Sequence, residues 1–248
     1  HLGGLIASAV LDHPDTQLRL LVRPGERRLC VQGGPDLIID GPARLLHVAR
    51  AAGVGRMVPA DFVANLFRIP RGRITPLDWR QDFAALADAE RGPVEVVHVL
   101  NGGLPDRRVL SAPDIIDVRT ATAFVRGDGR QPMDWTRCAD VARCTAAVAL
   151  DDRPAPRVLQ VAGEVLDFHG IVRIGQALRV ERLGSLDDLD AHIGSLQQGG
   201  PANFPACFPL MCYRSMLNGE GKLDVLMSDR YPSIRPTTVR EYVAREAI

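Results

Sequence analysis

Apolar and polar positions over residues 36–62, DLIIDGPARLLHVARAAGVGRMVPADF, follow a helical period and then tighten into a short apolar run. Gly41, Leu45, Val48, Ala49 and Ala52 recur at helical spacing while Arg44 and Arg50 fall off that face, which predicts an amphipathic helix. Pro42 suits a first turn, so Asp40 is the expected N-cap, with an earlier, kinked start as the alternative. Gly53 fits the position just past the helix end. Met57-Val58 then reads as a strand halted by Pro59. Ala60-Asp61-Phe62 leaves its carboxyl edge, where ligands gather in open α/β sheets.

Upstream, residues 5–11 read as a helix stopped by Asp12-His13-Pro14, and residues 18–23 and 29–32 as two strands. Parallel neighbours need a crossover of about a dozen residues. The span between those two strands cannot hold one, so either they are not parallel neighbours or a segment is absent. Downstream the unit repeats properly. A loop with Pro70, Gly72 and Pro76 leads to a helix over 78–91 with Trp79, Phe83 and Leu86 as its apolar stripe. A buried-type strand over 94–100 follows and ends in Asn101-Gly102-Gly103, giving a strand-helix-strand unit with a right-handed crossover. After Pro113 the pattern predicts a hairpin of residues 120–125 and 131–135 around Gly127-Asp128-Gly129. Then come a helix capped by Thr136 and running to about residue 150, a strand over 157–161, and helices near 169–178, 186–196, 210–217 and 238–246. The expected architecture is α/β: a Rossmann-type doubly wound parallel sheet over 1–106, and a smaller mixed C-terminal lobe over 107–248 with a partial return to the first domain.

Composition narrows the function. Thirty basic residues balance 30 acidic ones, so no overall field draws in nucleic acid or an anionic membrane. The five cysteines, Cys30, Cys138, Cys144, Cys207 and Cys212, show no CxxC pairing of the zinc kind and read as reduced thiols; no metal is expected. No apolar run approaches the roughly 20 residues that cross a bilayer, and no signal segment opens the chain, so a soluble, cytoplasmic protein is expected. The chain opens on His1 rather than methionine, so translation is expected to begin upstream of it.

Candidate chemistry is sparse. His47, His98 and His169 are scattered and read as structural, Cys207 and Cys212 as packing residues, and Asp187-Asp188 as a solvent-facing helix start. Phe204, Phe208, Met211, Tyr213 and Met216 form either a lobe core or a lid over an apolar substrate. His1-Leu2-Gly3-Gly4 before a helix has the form of the tail of a glycine-rich nucleotide loop, in which a residue without a side chain lets a pyrophosphate reach a helix N-terminus. An unliganded glycine pair is the alternative. Arg23, at a strand end before Pro24-Gly25, is placed to grip a 2′-phosphate; a solvated surface arginine is its alternative. No YxxxK pair exists, because Arg214-Ser215-Met216-Leu217 follows Tyr213 and Val243-Ala244-Arg245 follows Tyr242.

The fragments HLGG, LLVRPG, GGPDLIIDG, LLHVARAAGVGRMVPADF and HVLNGG, in that order, resemble the NmrA-like and isoflavone-reductase-like group of atypical short-chain dehydrogenases/reductases. The likeness is close to about Asp106 and looser beyond. It implies a Rossmann-type domain selective for NADP(H), with NAD(H) as the second choice, and a small lobe closing over a small-molecule substrate. By the same likeness His1, Leu2, Gly3, Arg23, Gln32, Gly33, Ala60, Phe62 and Asn101 fall at or near cofactor-lining positions. The implied activity is reduction of an enone or carbonyl on a small, largely apolar molecule. The alternative is a dinucleotide-binding redox sensor without turnover, acting through a regulatory protein partner; a homodimer is also compatible with either.

Two departures from the family pattern stand out. The family's first strand with its GxxG, and a strand and helix between RPG and GGPDLIIDG, have no counterpart here. The family's lysine, just inside the helix after the Pro-rich loop, is replaced: that place reads Leu77-Asp78-Trp79-Arg80, and the chain's single lysine is Lys222. Arg80 holds its proton too tightly to act as a base, yet it can stabilise a developing oxyanion, which makes it the candidate catalytic residue; a surface position on an amphipathic helix is the alternative.

Overall fold

Every residue from Val96 to Leu100 is buried, as a strand covered on both faces must be. In the computed structural model of the chain, which describes residues 2–14, 16–17, 36–105, 116–117, 119–174 and 178–246, this run is the centre of a parallel sheet. Its amides alternate sides. Glu95 N and Val97 N donate to Gly55 O and Met57 O, which pairs β2 (Glu95–Val96) with β1 (Arg56–Met57). His98 N donates to Arg157 O on the other side, and β3 (His98–Leu100) pairs there with β7 (Val158–Gln160).

The side chains alternate as well. Val96 packs with Leu46, Phe83, Ala87 and Val94 beneath α2 (Gly41–Ala51) and α3 (Thr75–Glu90). Val97 and Val99 pack on the opposite face with Cys144 and Val148 of α4 (Cys138–Leu150). Helices therefore cover both faces, and α1 (Leu2–Leu11) packs against α4. The expected doubly wound α/β organisation and the strand-helix-strand unit are observed.

Beyond the sheet, β4 (Ile116–Asp117) runs antiparallel to β5 (Thr122–Val125), and β5 runs parallel to β9 (Arg179–Arg182). β6 (Met133–Trp135) pairs antiparallel with β8 (Glu164–Leu166). With α5 (Phe168–Ile174), α6 (Leu186–Gln198), α7 (Phe204–Leu217) and α8 (Val239–Glu246), these elements enclose a second core around Met133, Trp135, Phe168, Leu189 and Tyr213.

Four expectations are corrected or refined. Asp40 stands at the N-cap position of α2 but makes no side-chain capping bond, because it is itself helical and follows a π-helical turn, Asp36–Asp40, which is the earlier start given as the alternative. The buried face of α2 carries Leu46 and Ala49, whereas Leu45 and Val48 are 51% and 63% exposed. The two stripes are equally apolar, and the position of Phe83 and Ala87 on α3 decides between them. The 120–125 and 131–135 segments are strands but do not pair with each other. Gly127 N is drawn instead to Gly184 O beside β9, and Trp135 bridges to Gly103. Thr136 does not cap α4; Arg137 is the N-cap residue, and the Thr136 hydroxyl turns to backbone carbonyls. The last helices match the pattern, although α7 starts six residues early, at Phe204. Its Pro209 removes a bond only to the first-turn carbonyl of Pro205. Ser185 and Asp188 form a capping box at α6, as the acidic helix start suggested. The expected strands over 18–23 and 29–32 lie outside the described residues.

Candidate functional site at the carboxyl edge of the sheet

The chain leaves β1 through Ala60–Val63 and leaves β3 through Asn101–Gly103, and the two exits are stitched together. Val63 O accepts from both Asn101 N (2.9 Å) and Gly102 N (3.2 Å), and Thr136 Oγ1 lies 2.6 Å from Asn101 O. Asn101 has no exposed surface; its Nδ2 donates to Gly102 O, but its Oδ1 has no partner. A buried amide oxygen without a donor carries a desolvation penalty, and such groups mark places where a further polar atom is expected. Phe62 has φ of 32°, a left-handed conformation that a bulky residue adopts only when its surroundings hold it there.

Facing this edge is α3. Its inward stripe of Pro76, Leu77, Phe83, Ala84 and Ala87 includes Arg80 by helical spacing, and the Arg80 side chain is only 14% exposed. The alternative, a surface position on an amphipathic helix, does not describe Arg80. Arg80 is poorly satisfied. Nη2 donates to Ala60 O at 3.3 Å and Nη1 to Pro76 O at 3.4 Å, both long, and Nε has no hydrogen-bond partner. Its nearest carboxylate oxygen is Asp61 Oδ1, 3.7 Å from Nε. The other oxygen, Oδ2, lies 2.6 Å from Nδ1 of His98, and both residues are buried. Burial lowers the Arg80 pKa below the usual arginine value, and Asp61 works against that shift. The same desolvation pushes the neighbouring Cys212 thiol up to about 12, so it is no nucleophile.

Solved structures of similar shape end the question of architecture. Isoflavone reductase superimposes with a TM-score of 0.70 at 16% identity, over 99% of this chain and 78% of that one. The chain has the isoflavone-reductase-like fold. A structure of pinoresinol-lariciresinol and phenylcoumaran benzylic ether reductases matches with a TM-score of 0.69 at 15% identity, over 87% of this chain and 73% of that one. The binary complex of leucoanthocyanidin reductase with NADPH from Vitis vinifera gives 0.65 at 15% identity, over 86% and 72%. No protein-family model matches the chain, and no curated protein does. The resemblance read from the sequence fragments thus agrees with the shape, a Rossmann-type fold.

Within the isoflavone-reductase-like fold the sequence candidates divide. Ala60, Phe62, Asn101 and Arg80 come together at one sheet edge. Leu2 and Gly3 open α1, where a Cβ on Gly3 would meet nothing within 4 Å. His1, Arg23, Gln32 and Gly33 lie outside the described residues. Of the apolar lobe residues, Tyr213 is buried, Met211 and Met216 pack against the second core, and Phe204 stacks on Phe208 at 5.4 Å. They are core more than lid. Met211 also lines a cleft of about 290 Å³ with Ile74, Ile193, Arg73, Arg214 and Glu220. Ile74 is the N-cap residue of α3, so the cleft opens at the end of the helix that carries Arg80.

His98 is the satisfied structural histidine expected from the sequence, but neither its partner, Asp61, nor Asp134 was singled out there. Asp61 and His98 form the carboxylate-imidazole pair behind Arg80, and Asp134 binds Lys222 at its Oδ1 and Leu223 N at its Oδ2. A histidine inside Val-Val-His-Val-Leu and an aspartate between Met133 and Trp135 were the signals, because a polar group in a buried strand requires a partner. Among the described residues no cluster of metal-ligating side chains occurs, and no helix is long and apolar enough to cross a membrane.

Proposed function

We propose that the chain is an NADPH-dependent oxidoreductase that reduces a carbonyl or enone on a small molecule. The observation that carries this reading is the convergence at the carboxyl edge of a buried, under-bonded guanidinium, Arg80, with the unpartnered Oδ1 of Asn101. The residues present fit a dinucleotide. Gly3 leaves open space at the N-terminus of α1, Ala60 offers a short side chain at the edge, and Asn101 Oδ1 lacks a donor such as a carboxamide supplies. By the family likeness Leu2 and Phe62 belong to the same proposed lining, as do His1, Arg23, Gln32 and Gly33 outside the described residues, Arg23 being the proposed grip on the 2′-phosphate. When bound, the cofactor supplies hydride to the carbon of the substrate.

Arg80 does the rest of the electrostatic work. Its Nε–H and Nη–H groups bind the substrate oxygen as negative charge grows there, in a site where burial strengthens the interaction. It keeps its own proton, so the oxygen takes a proton from solvent. The cleft at the end of α3, lined by Ile74, Ile193 and Met211 beside Arg73 and Glu220, is the place we assign to the substrate body. A cytoplasmic location suits such a reaction. Leucoanthocyanidin reductase, of similar fold, has been crystallised with NADPH, which supports the cofactor assignment.

The replacement of the family's lysine by Arg80 favours a second reading, a redox sensor that binds the dinucleotide without turnover. The test is direct. NADPH oxidation is followed at 340 nm against enones, quinones and aldehydes, beside titrations of NADPH and NADP+. Turnover with a preference for NADPH supports the reductase. Equal binding of both forms with no oxidation refutes it in favour of the sensor. Arg23→Ala should weaken NADPH far more than NADH; equal losses would refute the 2′-phosphate assignment.

A further inference from the structure

We infer that Asp61 and His98 are positioning residues for Arg80, forming a buried relay of contacts that holds the guanidinium charged and loosely parked at the sheet edge. The inference rests on the reductase reading for its catalytic consequence, but its geometry stands apart from it.

Asp61 and His98 have side chains 3% and 1% exposed. A buried carboxylate beside a buried imidazole is costly unless each satisfies the other, and the 2.6 Å contact between Oδ2 and Nδ1 does so. That contact commits one oxygen of Asp61 and leaves Oδ1 directed to Arg80, at 3.7 Å from Nε. The separation is close enough for the negative charge to offset the burial of the guanidinium. It is too long for a hydrogen bond, so the N–H stays open. A tight bidentate pair, such as Arg214 makes with Asp190 at 2.8 and 2.9 Å, would have occupied those donors.

His98 is held from behind. The rings of Phe67 and His98 stand nearly perpendicular with centroids 5.4 Å apart, Arg157 lies over Phe67 at 4.6 Å, and Asp88 fixes Arg157 with three hydrogen bonds of 2.8 to 3.0 Å. The imidazole therefore cannot turn away from Asp61 without disturbing a stack that reaches the surface. Phe62, in its left-handed conformation, fixes the backbone on the far side of Asp61. The outcome is a guanidinium with a counter-ion and no committed Nε–H, which is the condition for donating to an incoming oxygen.

The Arg80 Nε–H NMR cross-peak, assigned by its loss in Arg80→Lys, reports the arrangement without any substrate. Asp61→Asn preserves size and removes the charge, and should shift that cross-peak and speed its exchange with water. His98→Leu, which removes the bond to Oδ2, should do the same. His98→Asn, whose amide nitrogen takes the place of Nδ1, restores a donor and should keep the wild-type signal. In turnover assays Asp61→Asn should lose about 10- to 100-fold in kcat, less than the roughly 100- to 1000-fold for removing an oxyanion donor outright because Arg80 itself remains, with the NADPH Kd unchanged within about twofold. An Arg80 cross-peak identical in wild type, Asp61→Asn and His98→Leu overturns the inference; where Asp61→Asn does not fold, the His98 pair decides. A wild-type chain with no turnover sinks the reductase reading alone, and the cross-peak comparison still decides this one.

Discussion

Gly102 and Gly53 have nearly the same backbone conformation, φ of 67° and 68°, and opposite surroundings. A Cβ on Gly53 would meet nothing within 4 Å. On Gly102 it would fall 2.3 Å from Asp134 O and 2.8 Å from Asp134 C, which are backbone atoms of β6 that cannot rotate away. Placing an L-residue in the left-handed region costs about 1–2 kcal/mol. Lowering the entropy of the unfolded chain returns about 0.4–1 kcal/mol of that. Gly53→Ala should therefore lose about 0.5–1 kcal/mol. Gly102→Ala carries the same strain plus the displacement of a packed strand, about 1–3 kcal/mol more. A total near 2–4 kcal/mol follows. Urea unfolding of both variants beside wild type, with m held as a check on the unfolded state, measures the difference. Losses equal within about 0.5 kcal/mol would show that β6 does not press against the exit of β3, and the described site would be wrong in its most crowded place.

Two further outcomes test other parts of the structure. Leu46→Ala should lose about 2–5 kcal/mol, because Leu46 has no exposed surface, whereas Leu45→Ala should stay within about 0.5 kcal/mol; the reverse order would return α2 to the face first expected of it. The hydrogen bonds of Arg157 hold the Asp88 carboxyl below its ordinary value, so its stabilising contribution is present above the unfolded-state pKa of about 4 and is lost as pH falls through the folded one. Asp88→Asn should thus lower the melting temperature at pH 7 and flatten its decline below about pH 4, and melting curves that stay parallel to wild type across that range would contradict the assignment.

Much of the sheet was legible because its central strand is mostly apolar, broken only by Glu95 and His98, and bounded by Gly92-Pro93 and Asn101-Gly102. Hydrophobic runs with such punctuation leave little choice of element. The face of α2 was not legible, since Leu45-Leu46 and Val48-Ala49 present two equal stripes and only the neighbouring helix selects one. The hairpin failed for a related reason. The glycines at 127 and 129 do turn the chain, but a turn fixes no partner, and β8 and β9 lie some 30 to 60 residues further on. At the candidate site, motif likeness drew attention to Ala60, Phe62 and Asn101 and to the position of Arg80. It gave no sign that Arg80 faces inward, because helical spacing from Leu77 to Ala84 was masked by the more conspicuous Trp79 and Phe83. Asp61 and His98 are 37 positions apart, and their contact is a product of the crossover rather than of any local pattern.

One carbonyl, that of Val63, receives the amides of both Asn101 and Gly102. Because a single acceptor ties two loops, neither can swing outward alone; moving either breaks bonds that the other shares. The Gly72–Ile74 bend, which lines the cleft at the end of α3, takes no part in that clamp, so the two sides of the edge are held by separate sets of bonds.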